Sequence, residues 1–153
     1  MFTPGILTVQ FCCEKPQLLG YIVMLQCEST AMAVTSVLTK FQVPLRVLYY
    51  DNGCNLVRVI LTRAPWLMHT TKFVVDRFHF KSHTCCTYFD PESYPWMDED
   101  RSTAAVSINA RIKRTVPFIL YATSDNLIPF LNIRLALLNV ATRYRLQYAT
   151  GDS

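Results

Sequence analysis

The sequence predicts a mixed α/β domain, and three observations point that way. Hydrophobic residues make up 51% of the 153-residue chain and charged residues only 17%, which excludes a charge-rich disordered polypeptide and leaves enough apolar side chains for a filled core. Apolar runs of strand length alternate with segments whose apolar residues recur at helical spacing. The first two strand-like runs are separated by a short turn and the later ones by helical segments, so an antiparallel pair should precede strands joined by crossovers.

Gly5–Cys13 (GILTVQFCC) is rich in β-formers, and Glu14-Lys15-Pro16-Gln17 has turn composition. Leu18–Cys27 (LLGYIVMLQC) supplies a second strand, making a hairpin. Cys12, Cys13 and Cys27 read as small core residues on these strands. Glu28-Ser29-Thr30 offers capping side chains to a helix over Ala31–Phe41, where Met32, Val34, Val37, Leu38 and Phe41 recur at helical spacing. Pro44 closes the connection. Leu45–Tyr50 is a near-continuous apolar strand, the pattern of a strand covered on both faces. Asp51-Asn52-Gly53 turns the chain into a helix over Asn55–Ala64, ended by Pro65. Phe73–Val75 is a short buried strand, and Cys85–Asp100 reads as irregular. A helix over Ser102–Arg114 ends in the basic residues Arg111, Lys113 and Arg114, and Pro117 should break or kink it. The last helix, Asn126–Tyr144, is capped by Ser124 or Asp125. It carries an apolar stripe of Leu127, Phe130, Leu131, Leu135, Leu138 and Ala141, interrupted by Arg134. Residues 1–146 thus read as one domain, and 147–153 as a flexible tail.

The net charge of +4 permits contact with nucleic acid without demanding it. No apolar run is long enough to span a membrane, and Met1–Gly5 lacks the basic start of a signal peptide. Six cysteines without such a signal point to reduced thiols or metal ligands rather than to a disulfide framework.

The chemistry concentrates where strands end. Val47–Tyr50 leads into Asp51 and Cys54, and Phe73–Val75 leads into Asp76, His79, His83, Cys85 and Cys86. Two strands ending side by side would gather carboxylate, thiolate and imidazole at one sheet edge. Cys54, His79, His83 and Cys86 make a Cys₂His₂ set, the ligands of structural zinc, with Cys85 able to replace Cys86. The ordinary alternative is reduced cysteines and hydrogen-bonded histidines with no metal. Asp51 is placed to hold magnesium, although Asp-Asn-Gly is also a common turn. Arg58, Arg77, Lys81, Arg111, Lys113 and Arg114 could form a phosphate track, against the simpler reading of solvated helix faces. A cysteine hydrolase with His79 as base and Asp76 as orienting acid is weakened by the lack of any oxyanion-hole signature.

Strands ending in acids at one edge resemble ribonuclease H-like domains. The run Tyr50-Asp51-Asn52-Gly53-Cys54, then Leu61–Trp66 (LTRAPW), then Asp76-Arg77-Phe78-His79-Phe80-x-x-His83-x-x-Cys86 resembles the KDZ (Kyakuja–Dileera–Zisupton) transposases. Their motifs are a YDNAC-like run, an NREP-like helix end and DRFHW-x-x-H-x-x-C. Asp76-x-x-His79 also looks like the C/D-x-x-H signature of several eukaryotic transposase superfamilies. The resemblance, from about Gly5 to Tyr144, implies a ribonuclease H-like mixed sheet with flanking helices, a nuclear location, and magnesium-dependent DNA cutting and joining by three acids. It matches Asp51 to the second acid. The first belongs on a strand ahead of the opening hairpin, which this chain begins too late to include, so the fold is expected to lack its first strand. Val106 stands where the third, a Glu, belongs, and a shifted register would be needed for Glu99 to replace it. The expectation is therefore a transposase-derived domain without catalysis, retained for interaction with DNA or protein. The alternatives are a strand-transfer enzyme completed by another segment, or a zinc-stabilised protein-interaction module.

Overall fold

A computed structural model describes residues 5–11, 17–24, 29–97, 109–114, 117 and 123–149. The elements are α and β mixed, and they fall into two compact units, one formed by Cys27–Ser102 and the other by Met1–Gln26 with Thr103–Ser153. Where a single mixed sheet was expected, the described residues form two separate two-stranded sheets. Local hydrophobic pattern specifies that a segment is a strand, but not which strand it pairs with, and the two pairs form in different units.

In the unit built from the chain ends, β1 (Gly5–Phe11) and β2 (Gln17–Met24) form the expected antiparallel hairpin. Its register shifts between Val9 and Gln10, so Val9 faces Gly20 while Gln10 faces Leu18. The final helix is longer than its sequence pattern predicts, running over Ser124–Ala149. It therefore includes residues 147–149 of the expected tail. Leu131 and Leu135 of the apolar stripe are buried, while Ala141 is exposed. Leu135 clusters with Leu18 and Ile112, and Tyr21 and Leu138 pack against them. Asn139 bonds the β2 backbone as a strand neighbour would. Its side-chain oxygen accepts from the Leu18 N–H and its amide donates to the Leu18 carbonyl, both at 2.9 Å.

In the Cys27–Ser102 unit, α1 (Thr30–Lys40) begins at Ser29, whose hydroxyl accepts the Met32 N–H at 3.2 Å. It packs on α2 (Gly53–Arg63), which buries Leu56, Val57 and Ile60. β3 (Val47–Tyr49) and β4 (Lys72–Val74) pair in parallel, with Val47 opposite Lys72, Leu48 opposite Phe73 and Tyr49 opposite Val74. The one-turn helix α3 (Leu67–Thr70) leads into β4. Phe73, Val74 and Val75 have no exposed surface, as expected of a short buried strand, whereas all three residues of β3 are only half-buried, so the expectation that both faces of β3 are covered is not met. The one-turn helix α4 (Arg77–Phe80) follows, and the expected irregular stretch contains two 3₁₀ turns, Thr87–Phe89 and Pro91–Ser93.

Residues 109–113 are helical and Arg114 lies in the turn that follows, while residues 102–108 of the expected Ser102–Arg114 helix, together with Cys12, Cys13, Cys27 and Glu99, lie outside the described residues, Val106 among them. Among the described residues, no helix is long and apolar enough to cross a membrane.

Candidate metal centre

The two parallel strands set the site. Tyr49 faces Val74, so the same 25-residue offset carries Asp51 and Asp76 off the sheet at the same level. The ladder continues one step beyond the strands, with the Tyr50 N–H donating to the Val74 carbonyl at 3.0 Å. The chain then turns at once, the Gly53 N–H donating to the Tyr50 carbonyl at 2.9 Å, and α2 starts against the end of β4. A Cβ on Gly53 would lie 3.1 Å from the Val74 carbonyl oxygen and 3.2 Å from its carbon. Such a contact is tighter than side chains ordinarily make, so the Val74 backbone would have to give way to admit any other residue here.

Asp76 is buried and caps α4, its Oδ1 accepting the N–H groups of Phe78 at 2.9 Å and His79 at 3.2 Å. Its Oδ2 takes a hydrogen bond from Nδ1 of His79, and Asp51 Oδ1 lies 3.6 Å from the same nitrogen. Asp51, Asp76 and His79 are thus one cluster of ligand-type atoms within 4.8 Å of one another. The Asp76 hydrogen bond holds the His79 pKa above its ordinary value; the Asp51 carboxylate adds to this and burial opposes it.

Cys54, His83 and Cys85 form the second cluster, again within 4.8 Å. Nδ1 of His83 is 3.9 Å from the Cys54 sulfur and 3.7 Å from the Cys85 sulfur. In a tetrahedral zinc site with ordinary Zn–S and Zn–N bonds, neighbouring sulfur and nitrogen ligands stand about 3.6 Å apart. Both sulfur–nitrogen distances are therefore close to the edges of such a tetrahedron. Burial pushes the Cys85 thiol up, and the neighbouring Cys54 adds to the effect, so a metal ion would have to displace its proton.

The Cys₂His₂ set of Cys54, His79, His83 and Cys86 is not brought together as one cluster. Cys54 and His83 meet as expected, but His79 is held by Asp76 beside Asp51. Cys86 is exposed, and Cys85 supplies the second sulfur. The hydrolase arrangement is not assembled either, because the cysteine sulfurs approach His83 while His79 faces carboxylates.

The predicted basic residues have varied fates. Arg58 and Lys81 are exposed in the Cys27–Ser102 unit, where Arg77 is ion-paired with Glu92. In the other unit Lys113 and Arg114 are exposed, and Arg111 donates to the Thr142 hydroxyl at 3.3 Å. Sequence pattern gave no sign of a group of cations stacked on rings. Lys72 Nζ lies 3.3 Å from the ring centre of Tyr88 and 4.2 Å from that of Tyr94, and the Arg46 guanidinium lies 5.0 Å from that of Trp96. The density of aromatics between Tyr88 and Trp96 was the available signal.

Comparison with known proteins finds no family model, no curated protein and no solved structure that matches the chain.

Proposed function

We propose that the chain is a transposase-derived domain of ribonuclease H-like ancestry that no longer cuts DNA and is retained for interaction with DNA or protein. In this reading Cys54, His83 and Cys85 hold a zinc ion that ties the loop after α4 to the start of α2. The observation that carries it is the parallel β3–β4 register, which sets Asp51 beside Asp76 and brings both ends of the YDN-x-C and D-x-x-H-x-x-x-H motifs to one sheet edge.

A two-magnesium centre needs several carboxylates to balance its cations and the phosphate. The residues here do not fit one. Asp76 spends Oδ1 on two backbone N–H groups and Oδ2 on His79, and the position matched to the third acid is Val106. Zinc suits the other cluster, since two sulfurs and an imidazole are its preferred donors. In this reading contact with DNA would draw on exposed cations of each unit, Arg58 and Lys81 in one and Lys113 and Arg114 in the other.

The test uses the purified chain, with supercoiled DNA and magnesium, beside an Asp51→Asn variant. Neither should nick the DNA, both should carry one zinc per chain, and Cys54→Ser should lose it. Nicking by the parent that Asp51→Asn abolishes would overturn the loss of catalysis.

A further inference from the structure

We infer that the zinc site is open: Cys54, His83 and Cys85 fill three positions, and the fourth holds an exchangeable water that an exogenous thiolate can replace. The inference rests on the zinc reading above and concerns what that metal can bind.

Among the described residues the cluster has three members. Two ligand-type residues close by in the sequence, His79 and Cys86, stand outside the cluster. His79, one helical turn before His83, has its Nδ1 hydrogen-bonded to Asp76 with Asp51 close by. Cys86 is exposed, and its backbone is extended, with φ −71° and ψ 159°. Its sulfur is not among the three donor atoms that lie within 4.8 Å of one another.

Access is also provided. Cys54, His83 and Cys85 are half-buried, and Ser82, Thr84 and Cys86 around them are exposed. A closed structural site has four protein ligands, whereas three protein ligands and a solvent-reachable fourth position are the arrangement of zinc that exchanges ligands.

The charge selects the class of ligand. Zinc with two thiolates and a neutral imidazole has no net charge, so an anionic donor can join without crowding like charge. Sulfur already dominates the donor set, which favours another soft donor. In the exchange an incoming thiol gives its proton to solvent, a Zn–S bond forms and the Zn–water bond breaks; nothing is oxidised or reduced.

Cobalt(II) in place of zinc reads the sphere directly. The full chain, kept reduced with a phosphine so that no added thiol is present, is loaded with cobalt and its spectrum recorded before and after 2-mercaptoethanol. The same is done for Cys86→Ser and His79→Ala, with Cys54→Ser as the background for cobalt bound by the thiol alone. The expected parent spectrum is tetrahedral with two-sulfur charge transfer. That charge-transfer intensity should rise by about one half on adding the thiol, in proportion to the sulfur count. Cys86→Ser and His79→Ala should behave like the parent. A charge-transfer band that falls by about a third in Cys86→Ser, or a parent spectrum indifferent to the thiol, would show a closed sphere and overturn the open site while leaving metal binding intact. No tetrahedral cobalt bands in the parent would instead defeat the zinc reading itself, so the two failures are distinguishable.

Discussion

Asp76 serves three donors with two oxygens, and that makes His79 sensitive to pH. One oxygen holds the first turn of α4 and the other holds the imidazole, with Asp51 at 3.6 Å. The folded state therefore favours the imidazolium, and the His79 pKa is raised. In the metal-free protein this interaction contributes its full stability below the unfolded value, about pH 6.5, and loses it as the pH rises through the higher folded value. The His79 resonance in an NMR titration should have a midpoint above the ordinary histidine value. Asp76→Asn should lower it, and Asp51→Asn should lower it less. An unshifted midpoint in the parent would remove this account of the cluster. The Asp76 cap was not anticipated, because the four-residue helix it opens is too short to show a periodic pattern. The choice between Cys85 and Cys86 was not legible either, because the two are adjacent and of one type, and it is the bend at Cys85 that separates a half-buried thiol from an exposed one.

At the level of elements, the contact between α2 and β4 is the most restrictive feature. Gly53 begins a helix, where alanine would ordinarily be preferred by about 1 kcal/mol. Here the added methyl would meet a backbone carbonyl, which cannot swing aside as a flexible side chain can. Gly53→Ala should therefore destabilise the protein by about 1–3 kcal/mol, the usual cost of overpacking, despite the gain in helix propensity. It should also weaken metal uptake, because Cys54 is the next residue. Denaturant melts and a cobalt titration would check both, and a stabilised variant with unchanged uptake would contradict the proposed geometry. Most strands and helices were legible from periodicity and caps, as with Ser29 ahead of α1 and Asp51-Asn52-Gly53 ahead of α2. The β3–β4 pairing was anticipated from two apolar runs that end in the same residue types, a functional cue rather than a β-pattern one. That the hairpin would lie in a separate sheet was not legible, since sheet membership depends on contacts far apart in sequence.

For the whole molecule, the division into two units has a direct test. Every donor in both clusters belongs to Cys27–Ser102, which has its own core around Leu56, Ile60 and Phe73. That segment expressed alone should fold cooperatively and give the same cobalt spectrum as the full chain. A segment that is unfolded, or that binds no cobalt where the full chain does, would show that the unit needs the rest of the molecule. Sequence composition did not reveal this boundary. No glycine- or serine-rich linker marks residue 26 or 103, and the other unit draws on both ends of the chain, so no single cut in the sequence separates them.

The continuity of Cys27–Ser102 also bears on inheritance. A splice junction or recombination breakpoint at either flank would carry the whole donor set into a new gene as one parcel. A breakpoint between Cys54 and His83 would leave each product with an incomplete set. The unit assembled from the two chain ends has no such portability, since either breakpoint parts its hairpin from its final helix.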